Sequence, residues 1–152
     1  MRVSAKADYA LRAAVELAAR EDDRPLKGEL IAQAQGIPLR FLENILGELR
    51  TAGILDSRRG AEGGYLLARP AAEISLGDVI RAVDGPLANV TGARPEALEY
   101  SGSSASLREV WVAVRSSLRE VLDEVTLADV ASGSLPPKVL RMTESPDAWQ
   151  PR

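Results

Sequence analysis

Apolar positions recur with a helical period over most of this chain, and the points where the period breaks delimit the elements. Ala7, Ala10, Leu11, Ala14, Val15 and Ala18 follow the i, i+3, i+4 spacing of one buried helix face, with Ser4 as the expected N-cap. The abundance of alanine predicts close packing against another helix. Residues 21–25 (EDDRP) break the pattern near Arg20. A short second helix follows over 27–35, with Leu30, Ile31 and Ala34 inward. Gly36 supplies a left-handed turn, Ile37 plugs the angle, and Pro38 opens a third helix where its missing N–H costs nothing. That helix places Leu42, Ile45, Leu46 and Leu49 on one stripe and stops at Gly53.

The period then changes. Residues 54–58 and 65–67 read as short strands joined by Arg59-Gly60-Ala61-Glu62-Gly63-Gly64, whose glycines allow a tight hairpin and close approach to another surface. Ser75 and Asp78 form a capping box for a helix over 76–83, ended by Asp84-Gly85-Pro86. Residues 91–105 shift to Gly, Ser, Glu and Pro and are expected to form a mobile loop. From 106 to 125 runs the most sustained stripe: Leu107, Val110, Trp111, Val114, Leu118, Val121, Leu122 and Val125. Such a heptad-like face extends over about 30 Å of helix and needs a partner, so a two-fold mate is expected; a core helix within a monomer is the rival. Thr126 and Asp129 box a final short helix ending near Gly133, and the Pro/Ser-rich tail beyond it is expected to be poorly ordered.

Composition narrows the chemistry. The 152 residues contain neither cysteine nor histidine, which removes thiolate ligands, disulfides, the commonest metal ligand and the usual general base. An enzyme would depend on carboxylates, lysines, serines and tyrosines, and no such group falls on a recognisable catalytic motif. No apolar run approaches the roughly 20 residues of a membrane span, and the N-terminus lacks a secretory pattern, so a cytoplasmic protein is expected. The net charge of −3 is unevenly spread: residues 1–70 carry 11 Lys/Arg against 10 Asp/Glu, and residues 71–152 carry 8 against 12. Within 50–69, Arg50, Arg58, Arg59 and Arg69 face only Asp56 and Glu62. DNA affinity depends on such local charge, because neutralised phosphates release counterions.

Helix, tight turn, amphipathic helix and arginine-flanked glycine hairpin together spell a helix-turn-helix with a basic β-wing. Its base-proximal candidates are Pro38, Leu39, Arg40, Phe41, Glu43 and Asn44; Arg40 suits guanine or phosphate and Asn44 an adenine edge. Lys27, Arg50, Arg58, Arg59, Gly60, Gly63, Gly64 and Tyr65 complete the candidate DNA surface. Solvated surface charges remain the alternative for Arg40 and Glu43, and an inert hairpin for the glycine loop. A phosphate-binding loop is disfavoured, since no GK[ST] follows.

The order of these pieces resembles the IscR/NsrR/CymR regulators, the Rrf-two family of bacterial winged-helix transcription factors. The likeness covers residues 1 to about 134 and rests on SAKADYALRAAVELA, IPLRFLENILGELRTAGIL, RRGAEGGYLLARPAAEISLGDVIRAVDGP and VTLADV. It implies a mainly α fold: a winged helix-turn-helix domain (1–85) with a two-stranded β-wing, a loop (86–105), a long dimerisation helix with a short last helix (106–134), and a tail (135–152). It also implies a homodimer on a pseudo-palindromic operator, with the third helix in the major groove and Arg59 on the wing in the minor groove. Iron–sulfur members hold their cluster with three cysteines in the loop before the long helix; here that loop has none. Asp8 matches a position that serves some relatives as a ligand, but one carboxylate without thiolates cannot hold a cluster, so Asp8 is expected to be a first-turn charge and no cofactor or metal is expected. The cysteine-free pattern is most similar to the CymR branch, through GPLANVTG and REVWVAVRSSLREVLDEVTLADVAS. That branch implies a repressor of sulfur or cysteine metabolism answering to a small metabolite or a protein effector. A winged-helix module that binds protein rather than DNA is the alternative, motivated by the acidic second half and by Phe41 and Tyr65.

Overall fold

The structure is a computed structural model that describes residues 2–151. Seven helices and one hairpin follow each other as α1 (Ala5–Ala18), α2 (Gly28–Gln35), α3 (Leu39–Thr51), β1 (Leu55–Arg58), β2 (Gly64–Leu67), α4 (Leu76–Asp84), α5 (Leu107–Leu122), α6 (Leu127–Ser132) and α7 (Pro137–Thr143). Short 3-10 turns lie at Ala71–Glu73, Pro95–Ala97, Gly102–Ser104 and Pro146–Trp149. The result is the mainly helical winged architecture expected, with β1 and β2 antiparallel and Leu55 opposite Leu67.

Helix α1 is central. The Ser4 hydroxyl caps it by accepting from the Ala7 N–H, and it packs against α2, α3, α4, α6 and β2. Contact on so many sides buries Ala13 and Leu17 as well as Ala7, Ala10 and Ala14, a wider face than the single stripe expected. Alanine lets neighbouring backbones approach closely, and these methyl groups are wholly enclosed.

Helix α2 corrects the sequence reading. Gly28, Ile31 and Ala32 face inward, while Leu30 is half exposed and Ala34 is at the surface. The helix is only 8 residues long, and so short a stripe leaves its rotation undetermined; contact with α1 and α3 sets it. Gly36 ends it at φ 61, and Ile37 is buried beneath the turn. Helix α3 then begins at Leu39, with Pro38 as the N-cap rather than the first helical residue.

The core continues across α4 into α6. Ser75 and Asp78 close the predicted capping box, and Thr126 with Asp129 closes a second. These two helix starts are joined directly: Leu76 N–H donates to Val125 O at 2.9 Å and Leu127 N–H to Ile74 O at 2.9 Å. Leu127 and Ile74 are fully buried, and Val125 is 3% exposed. Val125 is therefore a core residue of its own chain, and its assignment to a subunit seam is corrected. The chain leaves the winged unit along α5 and returns to it at α6.

The tail is also corrected. Instead of irregular chain, residues 137–143 form α7 and Pro146–Trp149 form a turn. Lys138 reaches Glu120 of α5 at 3.3 Å, and Trp149 Nε1 donates to Thr143 O at 2.7 Å. The composition contains too few large apolar residues to signal this; turn hydrogen bonds and the ion pairs of Lys138 hold the segment. Among the described residues no helix is long and apolar enough to cross a membrane.

Candidate nucleic-acid interface

In α3, Leu42, Ile45, Leu46 and Leu49 are buried, so the opposite face must look outward. That face carries Arg40, Phe41, Glu43 and Asn44, all exposed, with Leu39 at its edge. No side chain caps the α3 N-terminus and no acid lies in its first turn. Uncapped N–H groups and the positive end of the helix dipole therefore point to solvent beside Arg40, an arrangement that favours phosphate.

Two side chains beside this face went unnoticed in the sequence. Lys6 and Tyr9 of α1 line a cleft with Phe41, Asn44, Ile45 and Glu48, and Lys6 pairs with Glu48 at 3.1 Å. They lie thirty or more positions from α3, and no local spacing could have connected them.

The wing is built by glycine geometry. Gly63 N–H donates to Gly60 O at 3.0 Å, closing the hairpin tip, and Gly60 has φ 101. Gly63 is buried, and a β-carbon on it would collide with the Arg58 carbonyl. Gly64 has φ 146, and a β-carbon there would lie 2.5 Å from the Leu26 carbonyl group. This close approach exists because Leu26 pairs with Tyr65 through two 2.8 Å backbone bonds, Leu26 N–H to Tyr65 O and Tyr65 N–H to Leu26 O. The wing is thus riveted to the chain entering α2. Gly64 and the half-buried Tyr65 act in that joint, so Tyr65 offers little as an exposed docking residue.

Arg58 and Arg59 are exposed, and among the described residues neither they nor Arg40 has an ion-pair or hydrogen-bond partner for its guanidinium. They share a groove with Arg20, Arg24, Leu30 and Glu62. Arg24 is a further missed candidate, hidden in a segment that reads only as a helix break; Arg20 is engaged by Asp22 at 2.7 Å. Arg50 leans on the wing, its Nη1 3.2 Å from Ser57 Oγ. Lys27 is exposed at the α2 N-cap.

Of the expected seam residues on α5, Leu107 and Val110 are exposed, and Trp111, Val114, Leu118, Val121 and Leu122 are half-buried. No residue of this 16-residue helix is buried. Trp111 donates to Tyr100 Oη at 3.1 Å, so the 91–105 loop covers part of the stripe. That loop is the place where the resemblance would put an iron–sulfur cluster. Its oxygen donors, Glu96, Glu99, Tyr100 and serines, do not fit one, because such clusters need thiolates and Glu96 is already paired with Arg115. Asp8 is likewise engaged, 3.3 Å from Arg12.

Comparison with known proteins gives a consistent answer. The family described as "Rrf2: Iron-dependent Transcriptional regulator" matches residues 3–133. Rv1287 of Mycobacterium tuberculosis, an HTH-type transcriptional regulator by name, is 51% identical over 144 residues, covering 95% of this chain and 89% of that protein. The HTH-type transcriptional regulator CymR of Bacillus subtilis is 38% identical over 132 residues, covering 87% and 91% respectively. The solved structure of CymR, titled as the global cysteine regulator of B. subtilis, superposes with a TM-score of 0.74 at 37% identity, covering 88% of this chain and 98% of that one. T. potens IscR superposes with a TM-score of 0.71 at 36% identity, covering 88% of each chain. These relatives regulate transcription and are not enzymes. The chain belongs to the Rrf2 family of DNA-binding, HTH-type transcription regulators.

Proposed function

We propose that this regulator is a homodimeric repressor of genes of sulfur or cysteine metabolism, working without an iron–sulfur cluster. Two copies join along the partly exposed stripe of α5, and each sets α3 into a major groove and its wing against the neighbouring minor groove of a pseudo-palindromic operator. The observation that carries the reading is the outward face of α3: Arg40 and Asn44 stand exposed beside an uncapped helix N-terminus. The likeness to CymR supports the regulon, and a small metabolite or protein partner supplies the signal.

Selection from a random duplex pool at about 0.1 M salt tests this directly. A palindromic motif with half-sites about one or more helical turns apart is the expected result. Asn44→Ala should relax preference at one base position by about 1–3 kcal/mol, whereas Arg59→Ala should weaken all sequences alike and lower the salt slope by about 1. An unenriched pool would instead favour a module that docks on protein.

A further inference from the structure

Where α4 ends, the loop returns and α5 passes, four arginines surround one cavity of about 300 Å³. Arg81 comes from the last turns of α4, Arg94 from the loop, and Arg115 and Arg119 from α5; Pro86 and Leu87 form an apolar wall, and Glu96 is the single acid. The lining therefore carries three more positive charges than negative ones. Arg115 and Arg119 stand at i, i+4, an arrangement of like charges that disfavours a helix unless an anion offsets it.

The existing partners leave this excess in place. Glu96 is spent on Arg115, whose side chain is only 14% exposed. A backbone hydrogen bond and the bond from Arg115 hold the Glu96 carboxyl below its ordinary value of 4.5, so it is ionised at neutral pH. Arg81 is divided between Asp78 at 3.0 Å and Asp123 at 2.8 Å, neither of which lines the cavity. The Arg119 guanidinium has no hydrogen-bond or ion-pair partner among the described residues, and that of Arg94 has only the longer-range attraction of Glu96. Two guanidinium forks without a hydrogen bond of their own at a concave site are suited to bidentate capture of carboxylate or phosphate oxygens.

We propose that this cavity binds a small organic dianion, a short dicarboxylate or a phosphomonoester, as the regulator's effector. The volume lies at the lower limit for ligand pockets, which suits a few carbon atoms and excludes a nucleotide. The walls give the site its consequence. Helix α4 belongs to the core of the winged unit through Val79, Ile80 and Val83, whereas α5 carries the exposed stripe. A ligand held by Arg94 on the loop that leaves α4 and by Arg119 on α5 ties the DNA-reading unit to the spine that spaces two copies. Its role as an effector rests on the DNA-binding reading above; its binding does not.

The test uses the full chain without DNA. Isothermal titration with malonate and with inorganic phosphate, each against chloride at equal ionic strength, should show saturable binding of at least one, and the probe that binds identifies the source. The Arg94→Ala/Arg119→Ala double variant should bind at least tenfold more weakly and melt as the wild type does, since neither guanidinium has a hydrogen bond or close ion pair to lose. Arg108→Ala/Arg141→Ala, which removes two like charges outside the cavity, should bind normally. No saturable binding of either probe, or equal binding by the double variant, overturns the proposal. Failure of operator selection would leave this result standing, so the two readings fail separately. Where both hold, the bound probe changes operator affinity at least fivefold.

Discussion

Helices α3 and α5 are written in the same pattern, an apolar stripe against a charged back, yet the fold treats them in opposite ways. In α3 all four stripe residues are buried, three of them completely. In α5 not one residue is buried, and Val110 remains 50% exposed. The stripe of α3 is used up within its own chain, so its free surface is the polar one that can enter a groove. The stripe of α5 is only half covered by its own chain, so apolar surface, most of all at Leu107 and Val110, stays free for another copy to cover. Amphipathicity alone does not say which side of a helix functions; the neighbours do.

The contrast can be broken most forcefully at Leu46. Leu46→Ala should cost about 2–5 kcal/mol in urea unfolding, because the site is enclosed and a cavity remains. Leu118→Ala on α5 should cost far less when measured on dissociated protomers. If the two substitutions cost the same at high dilution, the distinction between the helices fails.

Val110→Asp addresses the second half of the comparison. The charge is harmless in a free protomer, where the position is half exposed, but it would sit unpaired inside a subunit seam. Sedimentation should show self-association weakened about a hundredfold with the fold intact by circular dichroism. An unchanged sedimentation coefficient at micromolar concentration, with wild type and variant alike monomeric, would remove the spine from the proposed function.

The joint between reading helix and wing offers a smaller effect. Gly64→Ala forces a side chain into a left-handed backbone and against the Leu26 carbonyl group, at about 1–3 kcal/mol. DNA binding should fall further than stability, because the wing would lose its tie to α2. Proteolysis at the hairpin of the variant, absent in the wild type, is the readout.

The smallest effect concerns the start of α4. Burial pushes the Asp78 carboxyl up, but the bonds it accepts from the Ser75 N–H, Arg81 and the Ser75 hydroxyl outweigh this and hold it below 3.8. Its folded-state value being depressed, the stability it adds is present above the unfolded value and lost as pH falls through the folded one. Asp78→Asn should therefore lower the urea midpoint slightly at pH 7, and the gap from wild type should narrow below pH 3.8.

What the chain's own text determined was whatever depends on neighbours a few residues away. The Ser75–Asp78 and Thr126–Asp129 boxes, the Gly36 turn, the α3 stripe and the glycine hairpin are all local hydrogen-bond or backbone requirements, and each stands where the pattern puts it. Family likeness then supplied the architecture and the DNA-reading role. Tertiary structure alone decided the rest. It rotated the short α2 so that Ala32 rather than Ala34 is enclosed, and it drew Val125 from the spine into the core through the Ile74–Leu127 pairing. It also brought Lys6 and Tyr9 beside Asn44, Arg24 beside Arg59, and four arginines from three segments around one cavity. Such meetings follow from long-range packing, whose free energy is shared among many side chains and leaves no periodic trace in any single stretch.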